Sequence, residues 1–429
     1  MREADVIVCT SIGAADTRLL AACGFEVDAN DNKGPKPNMN SYYQDEIKNA
    51  PDDLPPLKLP FVLIDEACQS VEPGTLIPIL STGSCRSLVM LGDPCQLPPT
   101  VISDSSGQAK SPLAISLMSR LASTLPAPVV VSAQADKTPK EDYFLRLKAT
   151  RDAISLIKRR NESGENMNVS YRKRFAGSML LTVQYRMHPS IAAFSSSIFY
   201  DGLLSTPSFL CKARNLPEDF AKVLPIEKRL SGVRVVNIGG RNNEKRGDTN
   251  SPLEIYSSNE ASPITQSLIA NESISNEVEA AQIVSFLTEA MKNKGESHSS
   301  FKGSIGIITP YSAQVSLIKS LISSNTDLIS LIKSKNVSIE VNSVDAFQGR
   351  ECDVILFSAV RSNRRDNVGF LCDWRRMNVA LTRAKSGLIV FGDMETLKRG
   401  DKHWEGFCTW AEDIGCIFDV HGLTDDNME

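Results

Sequence analysis

No Gly-Lys dipeptide occurs anywhere in the 429 residues. The chain therefore has no glycine-rich loop ending in Gly-Lys-Ser/Thr, whose backbone amides and lysine cradle nucleotide phosphates. Ten cysteines and four histidines are present, but no Cys-x-x-Cys pair, which speaks against a structural zinc site. No run approaches the ~18 to 20 apolar residues of a membrane span, and Met1-Arg2-Glu3-Ala4-Asp5 is charged where a secretory signal is apolar. Basic excess is also missing. A net charge of −4 excludes a simple nucleic-acid-coating body and leaves any polyanion to a local patch. There is no internal repeat and no long low-complexity tract. What remains is a soluble, non-membrane globular protein, 41% hydrophobic and long enough for two or three domains. Its cysteines, several beside strand-like apolar runs, read as buried thiols of a reducing compartment, nucleus or cytoplasm.

Apolar runs and helical stretches then alternate. Ala4–Thr10 reads as a strand, and residues 24–60 as a polar surface excursion. Phe61–Ile64 reads as a buried strand and Ser87–Leu91 as another, each followed by acidic residues at its carboxyl end, where open parallel sheets bind ligands. A helix is expected over 113–123. Residues 124–178 look like an insertion, and from Asp136 to Phe175 eleven Lys and Arg face six Asp and Glu. Tyr143, Leu147, Ile154 and Ile157 recur there near helical spacing, which favours a solvated amphipathic helix over a nucleic-acid patch. Further on the spacing predicts strands at 233–238, 304–309, 337–341, 354–359 and 388–391, with helices at 276–292, 313–323 and 375–382. The Asn-, Ser- and Glu-rich stretch 239–271 reads as a loop, and Trp404, Phe407 and Trp410 as one face of a packed helix. Such alternation predicts an α/β fold with a mostly parallel sheet.

Six short stretches carry the chemistry, in this order: Asp65-Glu66-Ala67-Cys68-Gln69, Gly92-Asp93-Pro94-Cys95-Gln96-Leu97-Pro98-Pro99, Gln184-Tyr185-Arg186-Met187-His188-Pro189, Thr309-Pro310-Tyr311, Asp345-Ala346-Phe347-Gln348-Gly349-Arg350-Glu351 and Asn378-Val379-Ala380-Leu381-Thr382-Arg383-Ala384-Lys385. A strand-end Asp65 can hold magnesium, and Glu66 can polarise a water for attack on a γ-phosphate. Gln96 can donate to a phosphate oxygen and accept from a water, so it can sense whether that phosphate is attached. Arg186 and Arg383 offer guanidinium forks for the charge of a phosphoryl transition state. His188 reads as structural, with Pro189 opening a helix. Gly349 supplies a flexible position, and Glu351 a carboxylate able to meet a sugar hydroxyl or couple two ligand sites. Thr10, Thr309 and Ser343 end strands and can donate to a phosphate backbone. Taken singly, each of these residues is more often a turn, a surface charge or a strand terminator.

As an ordered set, the motifs resemble superfamily-one helicases of the Upf-type and senataxin-type branch, over nearly the whole chain. That resemblance implies a P-loop NTPase fold of two RecA-like parallel-sheet domains, with ATP in the cleft between them. It implies a first domain over 1–178, incomplete because the phosphate loop is missing, a second over 179–420, and a tail at 421–429. ATP and Mg2+ are the implied cofactors, with Asp65 as metal ligand and Glu66, Gln96, Arg186 and Arg383 as catalytic groups. Tyr185 is placed near the base, and Gly349 and Glu351 near the sugar or phosphates. Thr10, Thr309 and Ser343 fall in segments that line the nucleic-acid track. Single-stranded RNA or DNA is the implied partner, followed 5′ to 3′ through its backbone by a monomer. Without the loop, the chain by itself is expected to be inactive. A non-catalytic nucleic-acid-binding or regulatory module derived from a helicase, or a partial gene product, is the alternative.

Overall fold

A computed structural model of the chain describes residues 6–24, 55–101, 112–124, 129–131, 179–225, 232–240, 242–246, 273–292 and 301–420. They divide into two compact units, Met1–Pro126 and Ala127–Glu429. Residues 25–54 of the excursion expected at 24–60, the amphipathic helix around Tyr143–Ile157 and the tail at 421–429 lie outside the described residues.

The first unit contains helix α1 (Thr17–Ala22), strand β1 (Phe61–Ile64), helix α2 (Glu72–Ser81), strand β2 (Ser87–Met90) and helix α3 (Leu117–Thr124). β1 and β2 pair in parallel from Phe61↔Ser87 to Ile64↔Met90, and α2 lies in the crossover that such a pair requires. Pro73 opens α2, where its missing N–H costs nothing. This register sets Phe61, Leu63 and Val89 on one face, and they stand 78%, 64% and 49% exposed. The strand at Phe61–Ile64 is therefore present but not buried as expected: only Ile64 is, because no described element covers the other face. Nor do residues 6–10 form the expected strand. They are irregular, with Val6 and Val8 exposed and no described strand beside them, while Thr10 Oγ1 accepts from Gly13 N at 2.9 Å and closes the next turn.

In the second unit, β3 (Val129–Val131) and β4 (Met179–Leu181) form a small parallel pair. Then follow α4 (Pro189–Phe199), α5 (Leu210–Ala213), α6 (Glu218–Ala221), β5 (Val233–Asn237), β6 (Glu244–Arg246), β7 (Ile274–Asn276), α7 (Glu277–Lys292), β8 (Ser304–Thr309), α8 (Ser312–Ser324) and α9 (Thr326–Lys335). The unit ends with β9 (Ser338–Ser343), β10 (Cys352–Ser358), α10 (Trp374–Leu381), β11 (Ala384–Gly392), α11 (Met394–Gly400), α12 (Lys402–Asp413) and β12 (Ile417–Asp419). A six-stranded sheet in the order β12-β5-β11-β10-β8-β9 is parallel throughout. One of its faces packs Ile305, Ile307, Val354, Leu356 and Ile389 against Ile283, Leu287, Ile318 and Leu328 of α7, α8 and α9. On the other, Phe357 stacks on Trp404 of α12, with ring centroids 5.8 Å apart, and Phe194 of α4 meets Phe407 and Trp410. Helices on both faces explain why β10 and β11 are near-continuous apolar runs. The helix carrying Trp404, Phe407 and Trp410 is thus packed on the second unit, as the spacing predicts. Within the stretch 239–271, read as loop, Glu244–Arg246 instead forms β6, antiparallel to β7. α9 is a further helix beyond the one expected at 313–323. Its start is set by Asn325, whose side chain accepts from Leu328 N at 2.9 Å. No single helix among the described residues is long and apolar enough to cross a membrane.

A parallel sheet has two unlike edges, and the motifs divide between them. Glu351 and Arg383 immediately precede β10 and β11, at the amino edge, whereas Thr309 and Ser343 end β8 and β9, at the carboxyl edge. The connection 344–351 runs from the second edge to the first. Phe347 within it is fully buried and lies over Gly306, where a Cβ would stand 2.7 Å from its ring. Only glycine lets the connector pack this closely.

Candidate functional site

In the first unit, two strand-end turns are knitted together. Leu91 N donates to Ile64 O and Ala67 N to Leu91 O, both at 2.8 Å, which holds the turn after β1 beside the turn after β2. Gly92 touches that first turn: a Cβ there would lie 3.0 Å from Cys68 N. Asp65 and Glu66 are exposed at the end of β1. Glu66 has φ +50, a conformation few non-glycine residues adopt, and Asp65 Oδ1 accepts from its N–H at 2.9 Å. Gln69 Nε2 donates to Glu66 Oε2 at 2.7 Å. Gln96 is oriented in the same way, its Nε2 donating to Asp93 Oδ2 at 2.9 Å while Asp93 Oδ1 accepts from Cys95 N. Asp93 and Gln69 are therefore positioning residues that the sequence reading did not single out. Both lie within three positions of the residue they orient, so turn spacing was an available signal.

At the amino edge of the second unit, residues far apart in sequence meet. Arg186 Nε donates to Glu351 Oε2 at 2.6 Å and Arg186 Nη1 to Thr382 O at 3.2 Å. Lys385 Nζ lies 3.0 Å from the other Glu351 oxygen. The Arg186 guanidinium, helped by Lys385, holds the Glu351 carboxyl below the usual carboxylate range. Arg186 Nη2 has no partner among the described residues, and the side chain is 30% exposed. This arginine is thus fixed at two nitrogens, with the third available to an anion. Arg383 is placed differently. It is 1% exposed, its Nε donates to Val379 O at 3.0 Å and its Nη2 to Thr382 Oγ1 at 3.2 Å. Tyr185 is 61% exposed, and Gly349 has φ +75 with open space around it. Lys385 is a member of this cluster that sequence reasoning missed, although it stands two places after Arg383. His188 is structural: buried, it caps α4, its ring accepting from Ser190 N.

At the carboxyl edge Thr309 is fully buried and Ser343 half-buried. Thr309 Oγ1 has no partner among the described residues, while Ser343 Oγ accepts from Ala346 N at 3.3 Å. Behind them, Glu279 of α7 accepts from Ser358 Oγ at 2.5 Å and from Val360 N at 2.9 Å. Asn276 Nδ2 donates to Val360 O, and Gln314 Nε2 to Ser358 Oγ. This network holds Val360 at φ +71, a strained value for a β-branched residue. Burial raises the Glu279 carboxyl to about 8. Neither Glu279 nor Val360 belongs to a quoted motif, and neither was foreseen.

Among the described residues no three His, Cys, Asp or Glu side chains form a metal cage. A magnesium ion that keeps most of its water and takes one or two carboxylates plus substrate phosphates needs none, and Asp65, which follows β1 with no partner for Oδ2 among the described residues, suits that mode. All ten cysteines are free.

Comparison with known proteins gives two matches to family models described as "AAA domain", one over residues 156–395 and one over residues 46–104. Among curated proteins, "Helicase sen1" of Schizosaccharomyces pombe is 29% identical over 341 residues, 79% of this chain and 15% of that protein. "Regulator of nonsense transcripts 1 homolog" of Arabidopsis thaliana is 28% identical over 416 residues, 97% of this chain and 23% of that protein. "DNA polymerase alpha-associated DNA helicase A" of Schizosaccharomyces pombe is 31% identical over 359 residues, 84% of this chain and 41% of that protein. The chain thus spans between 15% and 41% of the length of these three relatives.

Proposed function

Since the chain belongs to the superfamily-one helicases of the Upf-type and senataxin-type branch, we propose that it is the motor part of an ATP-driven translocase on single-stranded RNA or DNA, moving 5′ to 3′ as a monomer in the nucleus or cytoplasm. The meeting of Arg186, Glu351, Thr382 and Lys385 carries this reading. Glu351 lies 165 positions from Arg186, and a solvated surface charge has no reason to be fixed at two nitrogens by such remote partners. In this reading Arg186 presents Nη2 to the γ-phosphate as charge develops, the role in which an arginine contributes roughly 10³ to 10⁵ in rate. Glu66, steadied by Gln69, orients the attacking water and takes its proton, and Gln96, steadied by Asp93, reads whether the phosphate is still attached. Asp65 would hold magnesium, which when bound neutralises charge on the β- and γ-oxygens. Arg383 serves as the second arginine only after giving up its hold on Val379 O and Thr382 Oγ1. Tyr185, Gly349 and Glu351 border the base and sugar. Thr10 and Ser343 meet the nucleic-acid backbone, and Thr309, fully buried as it stands, would reach it only after the carboxyl edge rearranges.

No Gly-Lys-Ser/Thr loop lies within these 429 residues, and the second reading of them is a nucleic-acid-binding or regulatory module without turnover. One experiment separates them: ATP hydrolysis with and without single-stranded nucleic acid, by the 429-residue chain and by a chimera carrying a Gly-Lys-Thr loop segment ahead of it. The chain alone is expected to be negligibly active. The chimera is expected to show stimulated turnover that falls at least about 10³-fold in Arg186→Ala and Glu66→Gln. A chimera that binds ATP yet stays inert establishes the binding module, and strong turnover by the chain alone contradicts the need for the loop.

A further inference from the structure

We infer that Phe370, backed by Tyr311 and Arg376, is a stacking platform for one nucleobase of a single strand, with Arg364 and Arg365 of the same loop for the flanking phosphates. The inference rests on the nucleic-acid reading above and adds the residues that grip a base. Phe370 is 47% exposed, and its ring centroid lies 5.7 Å from that of Tyr311, which is itself buried. The Arg376 guanidinium stands 5.5 Å from the Phe370 centroid and is held by Asp345 at 3.3 Å. The guanidinium lies over the ring, and the part of Phe370 that stays exposed is the surface a base would stack on, in the manner of sequence-tolerant single-strand sites.

Phe370 stands out because the loop is braced. Asn363 Oδ1 accepts from Arg365 N and Asn367 N, and its Nδ2 donates to Glu244 Oε2 at 2.9 Å. Glu244 also takes Arg361 in a two-pronged pair at 2.9 and 3.2 Å, and Arg361 Nη1 donates to the Tyr311 hydroxyl at 3.2 Å. Trp404 Nε1 donates to Leu371 O at 3.0 Å on the far side of Phe370. Gly369, at φ +54, is required here: a Cβ would collide with Arg361 Nη1 and lie 2.7 Å from the Tyr311 hydroxyl. With its neighbours tied down on both sides, the ring cannot fold back into the core, so its exposure is built in.

The charge around it selects the ligand. From Arg361 to Arg376 there are five arginines and two aspartates; Arg361 and Arg376 are paired with Glu244 and Asp345, which leaves the exposed Arg364 and Arg365 as the charge offered to a ligand, on a chain whose net charge is −4. A local basic patch on an acidic body suits a polyanion. The platform also adjoins Tyr311 and Asp345, just beyond the carboxyl ends of β8 and β9, at the edge where Thr309 and Ser343 lie.

Binding of the 429-residue chain to a fluorescent oligouridylate or oligodeoxythymidylate, and to an abasic strand of equal length, tests the inference. Phe370→Ala and Phe370→Leu are expected to weaken binding to the base-bearing strand by about 5- to 150-fold and to leave the abasic strand unchanged, while Phe370→Trp restores the wild-type value. The Arg364→Ala, Arg365→Ala double variant is expected to weaken both strands alike and flatten the salt dependence. Equal losses on both strands in Phe370→Ala, or no loss at all, overturn the platform but spare the translocase reading. Wild-type chain that binds neither strand overturns both.

Discussion

Glu279 has no contact with water, yet carries an ionisable carboxyl into the core. It holds the strained turn at Val360 by accepting from Ser358 and Val360. Burial raises its proton affinity from 4.5 to about 8, so the folded chain binds that proton more tightly than the unfolded chain. The stabilisation is complete below about pH 4.5 and is lost as pH rises toward 8, at up to about 1.4 kcal/mol per pH unit. Glu279→Gln, which cannot ionise, is expected to remove that slope; urea unfolding at several pH values checks this, and an unchanged slope refutes it. No motif marks Glu279. In the sequence it is one acidic residue in the first turn of a helix, a common surface placement, and only its contacts with β10 distinguish it. Asp65 and Glu66 were legible because they directly follow an apolar strand, and Gln96 because the Gly-Pro turn that carries it follows another. Arg186 was legible only as part of an ordered set, and its fixation by Glu351 and Thr382 could not be read from spacing at all.

Among elements, the terminal helix α12 shows how far local pattern reaches. Asp401 caps it, accepting from His403 N and Trp404 N, and Trp404, Phe407 and Trp410 at helical spacing all point inward. Trp404 is fully buried, stacks on Phe357 of β10 and ties down Leu371 through its indole N–H. Trp404→Ala is therefore expected to cost about 3 to 5 kcal/mol, measured by urea denaturation. A loss under about 1 kcal/mol would mean that α12 is not integral to the second unit. β6 shows where pattern fails. Three residues, Glu244-Lys245-Arg246, have no apolar alternation, and their partner strand β7 begins 28 positions after β6 ends. Charged residues there are accounted for by Glu244, which braces Arg361 and Asn363 rather than facing a core.

On the scale of the whole molecule, the two units differ in how completely their sheets are covered. The main sheet of the second unit has six parallel strands with helices on both faces, whereas the described sheet of the first has two strands and leaves Phe61, Leu63 and Val89 exposed. Two-stranded pairing is marginal by itself. Backbone amides of Phe61–Ile64 and Ser87–Met90 are accordingly expected to exchange with deuterium far faster than those of Ile305–Thr309, Val354–Ser358 and Leu388–Gly392. Hydrogen exchange read by mass spectrometry measures this directly. Equal protection in the two sets would show that something covers the exposed face in solution.

From the sequence alone came the α/β class, the order of most strands and helices, the family and the strand-end carboxylates, since alternation, turn residues and strand-end motifs are local and survive as pattern. Tertiary structure decided which edge of the sheet each motif reaches, that Arg186 is pinned with one nitrogen open while Arg383 is buried, that Lys385 joins them, and that Phe370 is held out toward water. Those outcomes depend on contacts between segments up to 196 positions apart, and no periodicity within either segment records which distant partner it will meet.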